Sequence, residues 1–570
     1  MIDAPNAAYR VTLPVMAGLI SSVESSDARV QGAQAAMDAV LATHREDEAT
    51  VDEIEDALDR GLHPGVIGGG VAAGAAVLLG GLYALRRRGA GQADDADRAI
   101  EDMSVSRREM LAVMALGGVG MTGVGTTGFG DVLQRGQLPA AEAVPDREAL
   151  NVLAIMIDDL NDYPTFMGGA PMPVHTPNLD ALAAESRAFV NHHVTVPICP
   201  PSRSTLMWGF GVDAHEQTAS DLEHAQYDAF SATWADESLI ALAERQNVDT
   251  YGGGKVFHGE QFPSRWTRYY RNTWPTSAPG NAVGFDHGPL LDDRNPDEDL
   301  TNEMIAALAD HPVGKPFLML PGFRLPHLPW RVPQQYLDLH PLADIVLPET
   351  PEDDWSDLGP VATAQLEQYT DFWQAGWFQV VEDQFDRREL LQAYLASMSH
   401  TDAMVGRLLD ALASSPHADS TVVMLVSDNG YHQGENFAYR KLTLRSQATR
   451  TPFMIRGLPG IDLTPETITD PIGSTNFMPT ILDFAGMTTD VPRSGQSLRG
   501  DVRPSPVALS HVHNSVSAIY TDAAQGSWRW TMHFAPGQEL DIDILTAADV
   551  TEMELYDQIT DPGEFDNLLA

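Results

Sequence analysis

The chain has 570 residues, which is enough for one large domain and a smaller appendage. It carries 80 acidic against 35 basic side chains, and its formal net charge is −45 at pH 7. This balance argues against nucleic acid as a partner, because the sequence offers no basic patch to neutralise phosphates. A single cysteine excludes an internal disulfide and a metal cage of cysteine thiolates.

The basic residues are almost all arginine, since lysine occurs only as Lys255, Lys315 and Lys441. An acidic excess with so little lysine indicates adaptation to concentrated salt, where the screening length falls to about 3 Å. At low salt the same charges would repel one another and destabilise the fold. Drift from a GC-rich genome is the alternative, but it leaves the deficit of positive charge unexplained.

The first elements in chain order are an acidic segment and an apolar one. Residues 1–64 are polar and acidic, with a short amphipathic helix predicted over Val51–Leu62. Residues 65–85 are uncharged and apolar and, at about 1.5 Å per residue, long enough to cross a bilayer. Three arginines follow at once and open a polar linker over residues 86–105, which places this end of the predicted transmembrane helix in the cytoplasm. A buried helix of a soluble domain is the alternative.

A second apolar stretch begins at Ser106-Arg107-Arg108-Glu109-Met110-Leu111. Residues 106–145 resemble a twin-arginine export signal, with Ala141-Glu142-Ala143 as a candidate cleavage site. Such signals normally start a protein, so either a membrane helix precedes this one or residues 1–102 are not translated with the rest. In both cases we expect residues 146–570 outside the cytoplasmic membrane, at the cell surface or secreted. The twin-arginine export machinery is then a partner, and an uncleaved chain stays anchored in the membrane by its N-terminal helix.

The main domain is predicted over residues 146–500, where buried-strand patterns alternate with helical patterns. The apolar run Asn151–Ile157 ends in Asp158-Asp159, and the similar run Thr421–Val426 ends in Ser427-Asp428-Asn429. Ligands of an open α/β sheet bind beyond the carboxyl ends of its strands. Three carboxylates and an amide oxygen there predict a site for a hard cation, Ca²⁺ or Mg²⁺. Acidic pairs that only cap helices or turns are the alternative.

The lone cysteine lies between these acidic pairs, in Cys199-Pro200-Pro201-Ser202-Arg203. Most free cysteines are small buried hydrophobic residues, which is the structural interpretation. Its position between two candidate ligand pairs favours a chemical role for the thiol instead.

The pattern changes after residue 501. Short strands are predicted at Val507–Ser510, Ser517–Tyr520 and Trp528–Phe534, with turns between them. Residues 501–570 are therefore expected to form a smaller, mainly antiparallel subdomain beside the α/β domain.

These motifs resemble those of the sulfatase family, within the alkaline-phosphatase-like superfamily. Cys-x-Pro-Ser-Arg, with Met207 and Gly209 after it, is similar to the segment in which sulfatases oxidise cysteine to formylglycine. The spacing Gly254-Lys255-Val256-Phe257-His258 resembles the iduronate-2-sulfatase branch. Further segments extend the resemblance from about residue 148 to the C-terminus: Thr176–Asp180, Pro326–Pro329, Asp428–Lys441, Met478–Leu482 and Glu554–Asp557. The resemblance implies a large, mostly parallel mixed sheet covered by helices on both faces, with a smaller C-terminal antiparallel sheet.

The resemblance also implies a nucleophile made from Cys199. A formylglycine-generating enzyme would oxidise the thiol to an aldehyde, and one hydroxyl of the hydrate would attack sulfur. The second hydroxyl would lose its proton to His258 as sulfate leaves, while Asp428 could protonate the leaving alcohol. The implied catalytic residues are Cys199, Arg203, Lys255, His258, His327 and Lys441. The implied ligands of one Ca²⁺ are Asp158, Asp159, Cys199, Asp428 and Asn429.

The leading hypothesis is therefore a hydrolase of a sulfate monoester, on a sulfated small molecule or a polysaccharide unit. A phosphonate or phosphate ester hydrolase with the same nucleophile is one alternative, and a non-catalytic surface protein with unoxidised Cys199 is another. The chain departs from the family pattern at a few positions, which leaves leaving-group and substrate preference open: Pro200, Trp208, Leu325, Asn436 and Arg445.

Overall fold

In the computed structural model the described residues are 29–35, 37, 149–215, 217, 223–259, 261–271, 286–290, 295–352, 354–368, 381, 385–461, 463–500, 507–522, 526–534 and 549–570. The helix predicted over Val51–Leu62, the apolar segment 65–85, the linker and the signal at 106–145 all lie outside these ranges. Within them, every helix is too short or too polar to cross a bilayer. The chain divides into two compact units, and all described residues belong to the one that comprises residues 5–42 and 148–570.

The strands of the described ranges, in chain order, are β1 (Asn151–Ile157), β2 (Arg187–His193), β3 (Asp249–Gly254), β4 (Arg268–Tyr270), β5 (His287–Pro289), β6 (Phe317–Phe323), β7 (Trp330–Val332), β8 (Thr421–Ser427), β9 (His432–Gln433), β10 (Tyr439–Arg440), β11 (Arg450–Arg456), β12 (Glu466–Ile468), β13 (Ile472–Gly473), β14 (Val507–Val512), β15 (Ser515–Asp522), β16 (Gly526–Phe534) and β17 (Val550–Asp557). The α-helices of the same ranges are α1 (Pro177–Ala184), α2 (Cys199–Trp208), α3 (Val212–His215), α4 (Glu223–Thr233), α5 (Leu239–Arg245), α6 (Pro296–Asp310), α7 (Gln334–Leu337), α8 (Pro360–Gln368), α9 (Arg387–Ala413), α10 (Ser446–Thr449) and α11 (Phe477–Phe484). Residues 29–35 form a further helix near the N-terminus.

The large sheet has the strand order β12-β2-β11-β8-β1-β6-β3-β4, and β13 also pairs with β2. Four neighbours in its centre, β8, β1, β6 and β3, are parallel. The strand β11 runs antiparallel to both β8 and β2, which makes the sheet mixed. This arrangement confirms the predicted fold class.

Both faces of the sheet are buried, as the continuous apolar strands predict. Alternate residues of a strand point to opposite faces. Leu153, Ile155 and Ile157 pack into one hydrophobic cluster with α9, whereas Val152 and Met156 belong to the cluster on the other face. The strand β1 is therefore apolar at every position after Asn151 because both of its faces need apolar side chains.

A separate sheet follows, with the antiparallel order β14-β15-β16-β17. The three strands predicted after residue 501 are present, and each is longer than expected. The fourth, β17, covers the segment singled out as a motif but not as a strand. The apolar side chains of this sheet form a third cluster, which also contains Val30, Ala33 and Met37 of the N-terminal helix.

Candidate active site

Four parallel strands deliver polar side chains to one edge of the large sheet. Ile157 of β1 is paired with Ser427 of β8 and with Phe323 of β6, so these three strands end at the same level. Gly254 of β3 is paired with Gly322 of β6, one residue earlier. The residues after these four ends are Asp158 and Asp159, Asp428 and Asn429, Arg324 to His327, and Lys255.

Two glycines allow β3 and β6 to approach closely at this edge. A Cβ atom on Gly254 would lie 2.0 Å from the carbonyl oxygen of Gly322, and one on Gly322 would lie 2.2 Å from the carbonyl oxygen of Lys255. Gly254 also has a left-handed φ of 71°. The close approach lets the Lys255 backbone N–H donate to the Gly322 carbonyl oxygen. This hydrogen bond fixes the position of Lys255 directly after the end of β3.

The thiol lies at the first residue of α2. Pro200 and Pro201 follow it in the first helical turn, where a missing N–H is tolerated. The helix ends at Gly209, whose φ of 69° is the left-handed conformation that terminates helices. Cys199 is therefore held at the positive end of a buried helix.

Three charged groups surround the Cys199 sulfur. Its Sγ atom lies 3.4 Å from Asp158 Oδ1 and 3.8 Å from Asp159 Oδ1, and Lys441 Nζ lies 3.0 Å from it. Burial raises the pKa of the Cys199 thiol, and the negative charge of Asp158 raises it further. The unmodified thiol therefore stays protonated at neutral pH, and a protonated thiol is a poor nucleophile.

The buried guanidinium of Arg203 holds the nucleophile helix, which is the helix α2 that begins at Cys199, against two strand ends. Arg203 Nε donates to Asp428 Oδ2 over 2.8 Å, and its Nη2 lies 3.4 Å from Asp158 Oδ1. Its Nη1 donates to the carbonyl oxygens of Lys255 and Val256. Burial alone would lower the pKa of Arg203, but the carboxylates of Asp428 and Asp158 outweigh it and raise that pKa. Arg203 thus remains charged and holds the residues after β1, β8 and β3 together at this edge of the sheet.

Two of the three lysines lie at this site. Lys255 Nζ donates to Asp158 Oδ2 over 2.6 Å, and Lys441 Nζ forms an ion pair with Asp159. Burial would raise the pKa of Asp158, but the positive charges of Lys255 and other nearby groups hold it well below its usual range. Lys315 instead pairs with Asp249 and is 38% exposed.

Lys441 is presented by a strained loop. The residues on both sides of it, Arg440 and Leu442, have left-handed φ angles of 73°. Asp159, its ion-pair partner, also has a positive φ, of 62°. Non-glycine residues in this conformation cost about 1–3 kcal/mol each and cluster at functional sites.

The donor set fits a hard cation. One ligand atom from each of Asp158, Asp159, Cys199 and His327 lies within 4.8 Å of the others. The Asn429 Nδ2 atom donates to Asp159 Oδ1 over 2.7 Å, which leaves its Oδ1 atom buried without a hydrogen-bond partner among the described residues. A buried amide oxygen without a donor beside two carboxylates suits an oxygen-seeking cation.

His327 adds a neutral imidazole to this group. Its Nδ1 atom lies 2.6 Å from the carbonyl oxygen of Leu328, which can only accept, so Nδ1 carries the proton. The Nε2 atom then has a free lone pair and lies 3.9 Å from Asp159 Oδ2. Burial lowers the pKa of His327 to about 3. The sequence-based ligand set did not include this residue.

Asp428 has different hydrogen-bond partners from Asp158 and Asp159. Its Oδ1 atom accepts the Asp159 backbone N–H over 3.2 Å, and its Oδ2 atom accepts from Arg203. Burial raises the pKa of Asp428 to about 6. Its carboxyl group therefore joins two parts of the site, and its role as a cation ligand stays a prediction.

The structure places His258 three residues beyond Lys255. Its backbone N–H donates to the Tyr227 hydroxyl over 3.0 Å, and its ring packs edge-on against the Tyr227 ring at 5.6 Å. The preceding turn is closed by Gln261, whose Oε1 accepts the Phe257 backbone N–H over 3.1 Å. The proton-accepting role of His258 stays a prediction.

Two supporting residues were missed by sequence reasoning. The Tyr394 hydroxyl, from α9, donates to the Asp159 carbonyl oxygen over 2.8 Å. Asp297, at the start of α6, accepts the backbone N–H of Leu325 over 2.9 Å and so fixes the loop that carries His327. Burial raises the pKa of Asp297 to about 7. The run Asn295-Pro296 indicates a helix start, but no sequence signal connects it to a loop almost thirty residues away.

Several departures from the family pattern are explained by packing. Trp208 is fully buried, with the Phe230 and Phe257 rings each 5.3 Å from its own. Arg445 is buried, pairs with Glu554 over 3.3 Å and lies 4.4 Å from the centre of the Tyr556 ring. Both side chains are buried and packed against their neighbours.

The comparisons with known proteins agree with this geometry. The sequence model of the family described as Sulfatase matches residues 150–487. The chain is 27% identical over 451 residues to a sulfatase of Formosa agariphila, covering 73% of this chain and 82% of that protein. It is 29% identical over 348 residues to iduronate 2-sulfatase of Homo sapiens, covering 54% of this chain and 59% of that one.

Solved structures share the fold. A protein in complex with its substrate D-glucosamine-2-N,6-O-disulfate has a TM-score of 0.54 at 18% identity, covering 74% of this chain and 94% of that one. The phosphonate monoester hydrolase of Agrobacterium radiobacter also has a TM-score of 0.54, at 17% identity, covering 74% and 91%. At these identities the likeness concerns the fold alone.

Proposed function

The chain belongs to the sulfatase family, and we propose that it hydrolyses the sulfate monoester of a sugar or polysaccharide unit through a formylglycine made from Cys199. The observation that carries this proposal is the surroundings of the Cys199 sulfur, with Asp158, Asp159 and Lys441 all within 3.8 Å. A thiol kept protonated there has little use as a nucleophile, whereas an oxygen nucleophile at the same place would be well supported.

Two further groups, formylglycine at residue 199 and a bound cation, would complete this chemistry. Formylglycine supplies a hydrated aldehyde, with one hydroxyl to attack sulfur and a second to release the sulfate. Asp158, Asp159 and Asn429 would hold a Ca²⁺ ion beside residue 199 through their side-chain oxygens, with Asp428 as the further predicted ligand. Bound there, the cation supplies positive charge that favours the ionised hydroxyl and withdraws charge from the sulfate oxygens.

The fixed positive charges of the chain would bind the sulfate group. Lys255 and Lys441 already pair with the two carboxylates next to Cys199, and Arg203 stays charged behind them. A sulfate ester gains negative charge on its leaving oxygen as the S–O bond breaks, so preorganised cations stabilise that transition state. Lys255 and Lys441 would contact the sulfate oxygens, while Arg203 keeps the nucleophile helix in place.

Proton transfer is assigned to two groups. Asp428, whose pKa burial raises to about 6, would give a proton to the leaving alcohol. His258 would accept the proton released when residue 199 returns to the aldehyde. His327, held neutral by burial and with its Nδ1 proton donated to the Leu328 carbonyl oxygen, offers the Nε2 lone pair as an acceptor without adding a charge to the site.

A sugar sulfate is proposed as the substrate class on the strength of the relatives. The Gly-Lys-x-x-His spacing from Gly254 to His258 resembles that of the iduronate-2-sulfatase branch, and human iduronate 2-sulfatase is among the relatives. Choline-sulfatase of Rhizobium meliloti is also similar, at 26% identity over 453 residues, so the likeness alone does not single out a sugar. A panel of sulfated monosaccharides, polysaccharide fragments and choline sulfate would decide among them.

The proposal is tested by mass and by turnover. We expect the peptide that holds residue 199 to have the mass of formylglycine, which is lighter than cysteine, in protein made together with a formylglycine-generating enzyme. Cys199→Ser should fold, with the same thermal midpoint within about 2 °C, and lose aryl sulfate turnover by orders of magnitude. Near-normal turnover of Cys199→Ser, or an unmodified thiol in active protein, would refute the mechanism.

A phosphonate ester hydrolase is the second candidate, because phosphonate monoester hydrolases share the fold. The two activities are separated by comparing kcat/KM for an aryl sulfate and an aryl phosphonate on the same converted protein. Preference for the phosphonate would favour this candidate.

We also propose that the active domain works outside the cytoplasmic membrane, in concentrated salt, after export by the twin-arginine machinery. The export motif at residues 106–111 and the net charge of −45 support this location. Activity that rises between low and molar salt would support the salt adaptation, and maximal activity at low salt would refute it.

A further inference from the structure

The N-terminal helix packs against the small C-terminal sheet. Val30, Ala33 and Met37 are 0% exposed and belong to the same hydrophobic cluster as Trp530 and Leu555 of that sheet. The three positions follow the spacing i, i+3, i+7, which places them on one face of a helix. Gln31 and Ala35, on other faces, are exposed. The helix therefore covers the sheet with a continuous apolar stripe.

Polar contacts fix the position of this helix. The buried Tyr520 hydroxyl, from β15, donates to the Ala33 carbonyl oxygen over 3.2 Å. Arg29 forms an ion pair with Asp566 over 2.8 Å, but both side chains are exposed, so this pair adds specificity more than stability. Apolar burial and one buried hydrogen bond thus hold the segment.

The cluster that receives the helix extends to the active site. It contains Ile198 and Leu442, which immediately precede Cys199 and follow Lys441. The Leu442 backbone N–H donates to the Pro197 carbonyl oxygen over 3.2 Å, so the loops that carry the thiol and the lysine are joined at this point. The N-terminal helix therefore packs on the same hydrophobic cluster as the two loops that carry Cys199 and Lys441.

A contact between residues 29–37 and residues beyond 500 has a topological consequence. Two segments that touch lie on the same side of any membrane that the chain crosses between them, so the number of crossings is even. The intervening sequence offers two apolar stretches, residues 65–85 and 111–130. The arginines at 86–88 and at 107–108 lie between these stretches, where the positive-inside rule places them in the cytoplasm.

From the docked helix together with this charge pattern, we infer that the chain crosses the membrane twice. The sequence between the two apolar stretches then lies on the cytoplasmic side, and the helix that includes Val30, Ala33 and Met37 lies outside as a cover on the small sheet of the catalytic domain. The inference does not depend on the reaction that the site catalyses.

The docking is tested with a matched pair of alanines in the full chain. Ala33→Asp buries a carboxylate in the contact, whereas Ala35→Asp adds the same charge on an exposed face of the same helix. We expect Ala33→Asp to lower the thermal midpoint by about 4 °C or more, and Ala35→Asp to change it by less than about 1 °C. Ala33→Asp should also weaken hydrogen-exchange protection of residues 526–534. Should Ala33→Asp prevent folding, Met37→Ala gives a gentler version with a shift of about 2 °C. Equal midpoints for all these variants and the parent would overturn the docking.

The topology is tested by labelling single introduced cysteines with a membrane-impermeant maleimide in intact cells that make the full chain. Ala35→Cys reports on the N-terminal helix, Val313→Cys on the catalytic domain, where Val313 is 71% exposed, and Ala93→Cys on the sequence between the two apolar stretches. We expect label at positions 35 and 313 in intact cells, and label at position 93 only after permeabilisation. Label at 313 with protection at 35, label at 93 in intact cells, or no label at 313 would each overturn the inference.

Discussion

Arg203 and Asp428 form a fully buried ion pair, with Arg203 Nε 2.8 Å from Asp428 Oδ2 and neither side chain exposed. The pair joins the nucleophile helix α2 to the end of β8. Because the same guanidinium also reaches Asp158 and two carbonyl oxygens after β3, it connects three strand ends to the helix that carries Cys199. The positions of the nucleophile and of the carboxylates are therefore set together.

Arg203→Met should be strongly destabilising, because it leaves the Asp428 and Asp158 carboxylates buried without their partner. Removing one member of a buried pair costs about 3–5 kcal/mol of unfolding free energy. The matched control is Arg456→Met, at the end of β11, whose ion pair with Glu185 is partly exposed, at 25% and 65% of the two side chains. Exposed pairs contribute about 0–1 kcal/mol. Urea titrations followed by tryptophan fluorescence give both values, and equal losses would contradict this role of Arg203.

Asn429→Leu should weaken Ca²⁺ binding, since it removes the buried amide oxygen that has no donor in the described structure. We expect a loss of about 10–100-fold in affinity, the range typical for residues that shape a metal site. Calorimetric titration of metal-free protein with Ca²⁺ measures it. Asn436→Leu is the control, because this buried asparagine donates to Asp354 away from the cation group. Unchanged affinity in Asn429→Leu would remove Asn429 from the ligand set.

Trp208→Phe should reduce stability without changing substrate binding. The indole N–H donates to the Trp234 carbonyl oxygen over 2.7 Å, and the ring fills a fully buried aromatic cluster. Loss of that hydrogen bond and of part of the ring costs about 2 kcal/mol. The thermal midpoint and the KM for an aryl sulfate are measured on the same preparation. A KM that rises several-fold while the midpoint is unchanged would show that Trp208 contacts substrate after all.

His400→Phe should make the protein less sensitive to acid. Burial lowers the pKa of His400 to about 3, and neither ring nitrogen has a hydrogen-bond partner among the described residues. Between that value and the unfolded pKa of about 6.5, the unfolded chain binds a proton that the folded chain does not. Stability contributed by the neutral ring is thus complete above about pH 6.5 and falls as the pH drops, by about 1.4 kcal/mol per unit.

The slope of the unfolding free energy against pH, between pH 4 and 6, is the readout for His400→Phe. We expect it to decrease by about 1.4 kcal/mol per pH unit relative to the parent chain. Measurements at pH 8, where the ring is neutral in both states, isolate any change in packing against Tyr336, whose ring lies 5.0 Å away. Parallel slopes for the variant and the parent would contradict the assignment.

The sequence predicted the family and the fold class correctly because both depend on local patterns. Apolar runs such as Val152–Ile157 occur where both faces of a strand are covered, and the pairs of oxygen ligands after two such runs indicated one edge of one sheet. The pentapeptide at Cys199 is also local, so it was recognisable without coordinates. Three strands of the small sheet were predicted as short strands with turns between them, whereas β17 was recognised only as a motif.

What the sequence alone determined is therefore the type of each segment and the chemistry of its side chains. Only the tertiary structure decided which of those side chains meet, because strand order and register are set by packing between distant segments. The pairing of Ile157 with Ser427 brings Asp159 next to Asp428 across about 270 residues. The contact of Tyr394 with Asp159, and the docking of the N-terminal helix on β15, have no local signature, since each depends on shape complementarity that forms only in the folded chain.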